Sequence, residues 1–110
     1  MAFYPGCATP LARAASYRPG APTRIHIGDL DDWTSAASCV ELGKAMASRS
    51  EDLRVTTYRN SHHGFDSPTG SLVHRMDVPN GVNPGQGVHV GPNEAARDAA
   101  NASVRAFLRE

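Results

Sequence analysis

The chain has 110 residues, 11 acidic and 11 basic side chains, and a hydrophobic share of 40%. That is one domain or part of one, apolar enough to fold rather than stay disordered. It lacks the clustered basic residues that a nucleic-acid partner requires. Two cysteines, Cys7 and Cys39, are too few for a disulfide framework. They read first as free buried thiols, with a single bridge as the alternative in an oxidising compartment.

The opening residues Met1 to Cys7 have neither the basic nor the apolar region of a signal peptide, and Pro5-Gly6 breaks any helix. No apolar run approaches membrane-spanning length. The expectation is a soluble chain without a membrane partner, with the cytoplasm favoured. Ala2-Phe3-Tyr4 reads as the end of a short buried strand stopped by Pro5-Gly6. Residues 8–22, with three prolines, read as loop with at most one helical turn near Leu11 to Ala15. Thr23-Arg24-Ile25-His26-Ile27 alternates and is rich in β-branched residues, which predicts a strand. It runs into the acidic loop Gly28-Asp29-Leu30-Asp31-Asp32.

Helical spacing predicts a helix from about Thr34 to Ser48, with Ala36, Val40, Gly43 or Lys44 and Ala47 on one face and Cys39, Leu42 and Met46 beside it. Asp32 and Thr34 are the candidate N-caps, because their oxygens can accept first-turn amides. Leu53 to Tyr58 reads as the next strand, giving a strand–helix–strand unit and hence parallel pairing with a right-handed crossover. Residues 66–92 are rich in Gly, Pro and Asn and read as a long structureless lid or surface excursion. A last helix is predicted from Pro92-Asn93 to the end, laying Ala96, Ala100, Val104, Phe107 and Leu108 on the sheet.

Loops at the carboxyl ends of parallel strands line the ligand crevice of α/β proteins. Two such loops carry Asp31 and the pair His62-His63, one crossover apart. A carboxylate beside an imidazole can hold one tautomer and stabilise the imidazolium that forms when the ring takes a proton. Asp29 and Asp32 are rivals to Asp31 for the acid role, and His62 reads as a loop residue. Trp33 reads as core or pocket wall. A metal site drawn from His62, His63, Asp66, His74 and His89 would match no zinc spacing, so no metal and no cofactor are expected.

The segments Ala2-Phe3-Tyr4-Pro5-Gly6-Cys7, Gly28-Asp29-Leu30-Asp31-Asp32-Trp33-Thr34, Tyr58 to Asp66, and Gly87 to Leu108 resemble the dienelactone hydrolase family. The resemblance implies an α/β-hydrolase fold, here partial, with about three parallel strands and flanking helices. It implies cleavage of a small-molecule ester or lactone through a nucleophile–His–acid triad. The Gly28-x-x-Asp31 match gives Asp31 as the acid, and the His63-Gly64-Phe65 match gives His63 as the base. No Gly-x-Ser-x-Gly or Gly-x-Cys-x-Gly elbow occurs in the sequence, so the whole chain, residues 1–110, reads as the C-terminal part of such a domain. The expectations are then an isolated chain that is poorly stable and hydrolytically inert. Self-association would run through exposed edges at the first strand and at the Thr23 strand, or a second chain would supply the nucleophile.

Overall fold

The computed structural model describes residues 1–110. In chain order the elements are β1 (Ala2–Phe3), α1 (Ala8–Ala12), β2 (Thr23–Gly28), α2 (Ala36–Ala47), β3 (Leu53–Tyr58), β4 (Val73–Arg75), β5 (Val88–Val90) and α3 (Glu94–Leu108). β1, β2 and β3 form a parallel sheet in that order, with Ile25 opposite both Ala2 and Val55. This is the expected mixed α/β architecture, a three-stranded parallel sheet flanked by helices. The Thr23 strand is the centre of the sheet, so only β1 and β3 are edges.

Strand alternation divides the core in two. Ile25 and Ile27 point to the face covered by α1 and α2, where they pack with Cys7, Cys39, Leu42, Met46 and Leu53. The opposite face holds Tyr58, Phe65, Ala96 and Ala100 with Phe3 and Tyr4 beside them. The buried stripe of α2 is thus Cys39, Leu42 and Met46, which the spacing had placed beside the face, while Lys44 and Ala47 lie exposed. The final helix buries only Ala96 and Ala100, and Leu108 is 71% exposed. In its C-terminal half Phe107 meets the guanidinium of Arg24, a residue of the central strand, at 4.7 Å.

Four local expectations are corrected. Helix α2 is capped by Ser35, whose side chain accepts the Ser38 amide, and not by Asp32 or Thr34. The Asp31 carboxylate already holds the amides of Trp33 and Thr34, which delays the helix start. The short helical piece lies at Ala8–Ala12 rather than at Leu11 to Ala15. Residues 66–92 are not structureless, because β4 and β5 pair antiparallel as an arm, with His74 opposite His89. Finally, Cys7 and Cys39 are bridged, with Cα atoms 5.0 Å apart, and no cysteine is free. Such bridges persist where the surroundings are oxidising.

His26 sits in the centre of β2, 1% exposed, stacked on Phe3 at 5.0 Å. Its Nδ1 shares a hydrogen bond of 2.8 Å with the Tyr58 hydroxyl, while Nε2 has no partner. Burial pushes the imidazole below its ordinary value of 6.5. The unfolded chain therefore binds a proton that the folded chain refuses, and stability falls as pH drops through that ordinary value toward the folded one. Urea midpoints taken at neutral and mildly acidic pH should show this loss. It should shrink in the double variant His26→Leu/Tyr58→Phe, which removes the imidazole without orphaning the hydroxyl. Equal losses in both proteins would assign the acid sensitivity to other groups.

Candidate active site

The two loops at the carboxyl ends of β2 and β3 are tied to each other by backbone. Asp29 N–H donates to the Tyr58 carbonyl at 2.9 Å, and Leu30 N–H donates to the Ser61 carbonyl at 3.0 Å. Gly28 permits this approach, because a Cβ there would lie 2.0 Å from the Ser61 carbonyl oxygen. Past Asn60 the chain turns back, and Gly64 adopts a φ of +76°, which favours glycine. Phe65 then anchors the loop as a fully buried ring, 5.0 Å from Tyr58. The β5 strand braces it further: His63 bridges Val90, and Gly91 N–H donates to the His63 carbonyl at 3.0 Å.

This frame brings Asp31 and His63 together. His63 Nδ1 lies 3.0 Å from Asp31 Oδ2, with 0% of the Asp31 side chain and 16% of the His63 side chain exposed. Asp31 Oδ1 accepts the amides of Trp33 and Thr34, each at 2.9 Å. The Thr34 hydroxyl stands 3.2 Å from Asp31 Oδ2 and 3.1 Å from the Tyr4 carbonyl. The carboxylate is thus fixed in rotation from both of its oxygens. An ionised carboxylate can only accept, so the shared proton belongs on His63 Nδ1 and Nε2 is left with a free lone pair. That is the state in which an imidazole can take a proton from a nucleophile.

The imidazole is flanked by two rings, Tyr4 at 4.3 Å and Trp33 at 4.6 Å between centroids. Tyr4 also donates its hydroxyl to Asp66 Oδ1 at 2.9 Å. Burial first, and the Asp66 carboxylate second, push that hydroxyl up to about 12, so it stays protonated. A cavity of about 350 Å³ opens beside Tyr4, walled by Asp66, Val73, Arg75 and Val90. Arg75 reaches from the arm over the Trp33 ring at 5.6 Å and pairs with Asp77 at 2.8 Å.

The rivals for the acid role have other partners. Asp29 Oδ1 is 3.5 Å from the Ser61 amide. Asp32 accepts the His89 amide at 2.7 Å and meets His89 Nδ1 at 2.6 Å, and its carbonyl accepts the Val82 amide at 2.7 Å. Burial raises the Asp32 carboxyl, but the hydrogen bonds from His89 outweigh it and leave the group below its ordinary value. Two consecutive carboxylates therefore serve different ends, Asp31 holding the imidazole of the site and Asp32 holding the arm. His74 stacks on His89 at 4.3 Å, and His62 lies 5.7 Å from the same ring. Of the five residues considered as metal ligands, His62 and His74 lie against His89, while His63 meets Asp31 and Asp66 meets Tyr4, and no group of three or more His, Cys, Asp or Glu side chains is arranged to hold a metal ion.

Tyr4 and the Asp32–His89 pair escaped the sequence reading. The only signal for Tyr4 was its place at a strand's carboxyl end. The only signal for His89 was the short run Val88-His89-Val90 inside a Gly-rich stretch. The family model described as the dienelactone hydrolase family matches residues 1–110. No curated protein and no solved structure matches the chain.

Proposed function

The chain belongs to the dienelactone hydrolase family, and on that premise we propose that it carries the base and acid of an ester- or lactone-cleaving triad. His63 is the general base and Asp31 the group that orients it. The observation that supports this most is the 3.0 Å bond between His63 Nδ1 and a carboxylate held at both oxygens. In the reaction His63 Nε2 takes the proton of the attacking hydroxyl or thiol as it bonds to the substrate carbonyl carbon. It returns that proton to the leaving alkoxide, then repeats the exchange with water to release the acid. Asp31 stays ionised throughout and stabilises the imidazolium.

No Gly-x-Ser-x-Gly or Gly-x-Cys-x-Gly stands in these 110 residues. On this reading the nucleophile, and the oxyanion-hole amide that follows it, would have to be supplied from outside these 110 residues. A complementing chain would pair at β1, an edge of the parallel sheet. The second reading is an inactive fragment, favoured by the same missing elbow. Both are tested with p-nitrophenyl acetate and a co-expressed nucleophile-bearing half of a dienelactone hydrolase. The 110 residues alone should release no nitrophenol. The mixture should, and His63→Ala should cut its rate by roughly 10²–10⁴, the usual worth of a positioned base. Hydrolysis by the 110 residues alone, abolished by His63→Ala, would overturn the absent nucleophile. A complemented pair that stays inactive supports the inert reading.

A further inference from the structure

The sharpest backbone anomaly in the molecule lies against the site. Tyr4 has a φ of +40°, in the left-handed region that bulky residues avoid. Pro5 follows it, and a residue before proline is normally extended. Strain of this kind persists only where the surroundings over-determine it, and it gathers at functional positions. Here five contacts do so. The Tyr4 amide donates to the His26 carbonyl at 2.7 Å, and its carbonyl meets the Thr34 hydroxyl that also touches Asp31. Its hydroxyl is tied to Asp66 at 2.9 Å, and its ring lies 4.3 Å from His63 and 6.1 Å from Phe65.

The left-handed turn has a definite consequence. An extended Tyr4 would continue the alternation of β1 and send its side chain to the sheet face opposite Phe3. At φ +40° the ring packs against both core clusters, meeting Phe3 and Phe65 and reaching the imidazole. We infer that Tyr4 is a positioning residue, whose ring, together with that of Trp33, keeps the His63 imidazole turned with Nδ1 on Asp31 and Nε2 outward. The ring face does this, its hydroxyl meeting Asp66 at the rim, and Thr34 links the same residue to the carboxylate. A single hydrogen bond leaves an imidazole free to rock about the Nδ1–carboxylate axis, and two flanking rings remove that freedom.

This inference rests on the reading of His63 as a base held by Asp31, and the test separates the two. The probe is the imidazole ¹⁵N spectrum of the 110-residue chain at neutral pH, which reports tautomer and ring order for each histidine without substrate. The unmodified chain should show His63 protonated at Nδ1, with cross-relaxation between His63 and Tyr4 ring protons. In Tyr4→Leu the population of His63 rings turned off Asp31 should rise by roughly two- to tenfold, the factor for one lost aromatic contact. Tyr4→Phe should restore the ordered ring. The His74 and His89 signals, set by Gln86 and Asp32 and not by Tyr4, serve as the control that the fold survives. If His63 in the unmodified chain is not protonated at Nδ1, the base reading itself fails. If it is, and Tyr4→Leu leaves the signal unchanged, Tyr4 does not position it. Should Tyr4→Leu fail to fold, the unmodified chain still decides: absence of Tyr4–His63 cross-relaxation overturns the inference, and its presence together with an ordered His63 ring in Tyr4→Phe sustains it.

Discussion

Replacing Cys7 and Cys39 together by alanine should lower the unfolding free energy by about 3–4 kcal/mol, the loop-closure value for a crosslink across some thirty residues. The two cysteines stand 32 positions apart, so the unfolded chain gains the full freedom of that loop when the bridge is lost. The folded chain also has little else to hold the segment. Helix α1 contains no buried residue, and between Cys7 and β2 only partly buried Leu11, Ala14 and Tyr17 touch the core. Both cysteines belong to the seven-residue cluster under α1 and α2, so the two small cavities left by alanine add to the loss. For a domain of ordinary stability this removes a large fraction of the total. The urea midpoint should fall in the double variant, and dithiothreitol should lower the midpoint of the unmodified chain but not that of the variant. Coincident unfolding curves with and without reductant would show that the bridge contributes nothing.

The bridge also shows where sequence reading stops. β2 was legible because it alternates and is β-branched, and β3 as an apolar-to-polar run after the turn at residues 48–52, signals that need no knowledge of the rest of the chain. Parallel pairing followed from the helix between them, and so did the placing of Asp31 and His63 in neighbouring loops. Which carboxylate meets the imidazole was carried by resemblance, since Asp29, Asp31 and Asp32 differ by a rotation of one short loop. What stayed hidden depends on contacts between segments. Ser35 caps α2 because Asp31 has withdrawn the two preceding amides for its own use. The arm of β4 and β5 has strands three residues long, and every residue of β4 is exposed, so no apolar pattern announces it. Three bonds from one side chain and carbonyl, those of Asp32, fasten it instead. A disulfide likewise needs two Cα atoms about 5–6 Å apart, which is a property of packing and not of spacing.

Asp31→Asn should disable the site while leaving the fold almost intact, and the reason lies in which oxygen of Asp31 is committed. Oδ1 accepts the amides of Trp33 and Thr34, and amides can only donate. An asparagine in the same place must keep its carbonyl oxygen there, which turns its NH₂ group toward Thr34 and His63. The Thr34 hydroxyl can accept from it, so the backbone turn survives. His63 Nδ1 must then accept as well, and the neutral ring moves its proton to Nε2. The nitrogen that should take the nucleophile's proton now carries one already. In triads of this kind the wrong tautomer costs about 10⁴ in kcat with little change in geometry, and the complemented enzyme should lose that much. The tautomer exchange is directly visible, because the His63 ¹⁵N pattern should invert in the 110-residue chain alone. Asp31→Ala should differ in kind: it orphans two amides and leaves a hole at the loop's centre, so it should destabilise the chain by about 2–3 kcal/mol. An Asp31→Asn chain whose His63 keeps its proton on Nδ1, or a complemented enzyme that retains its rate, would remove Asp31 from the role assigned to it.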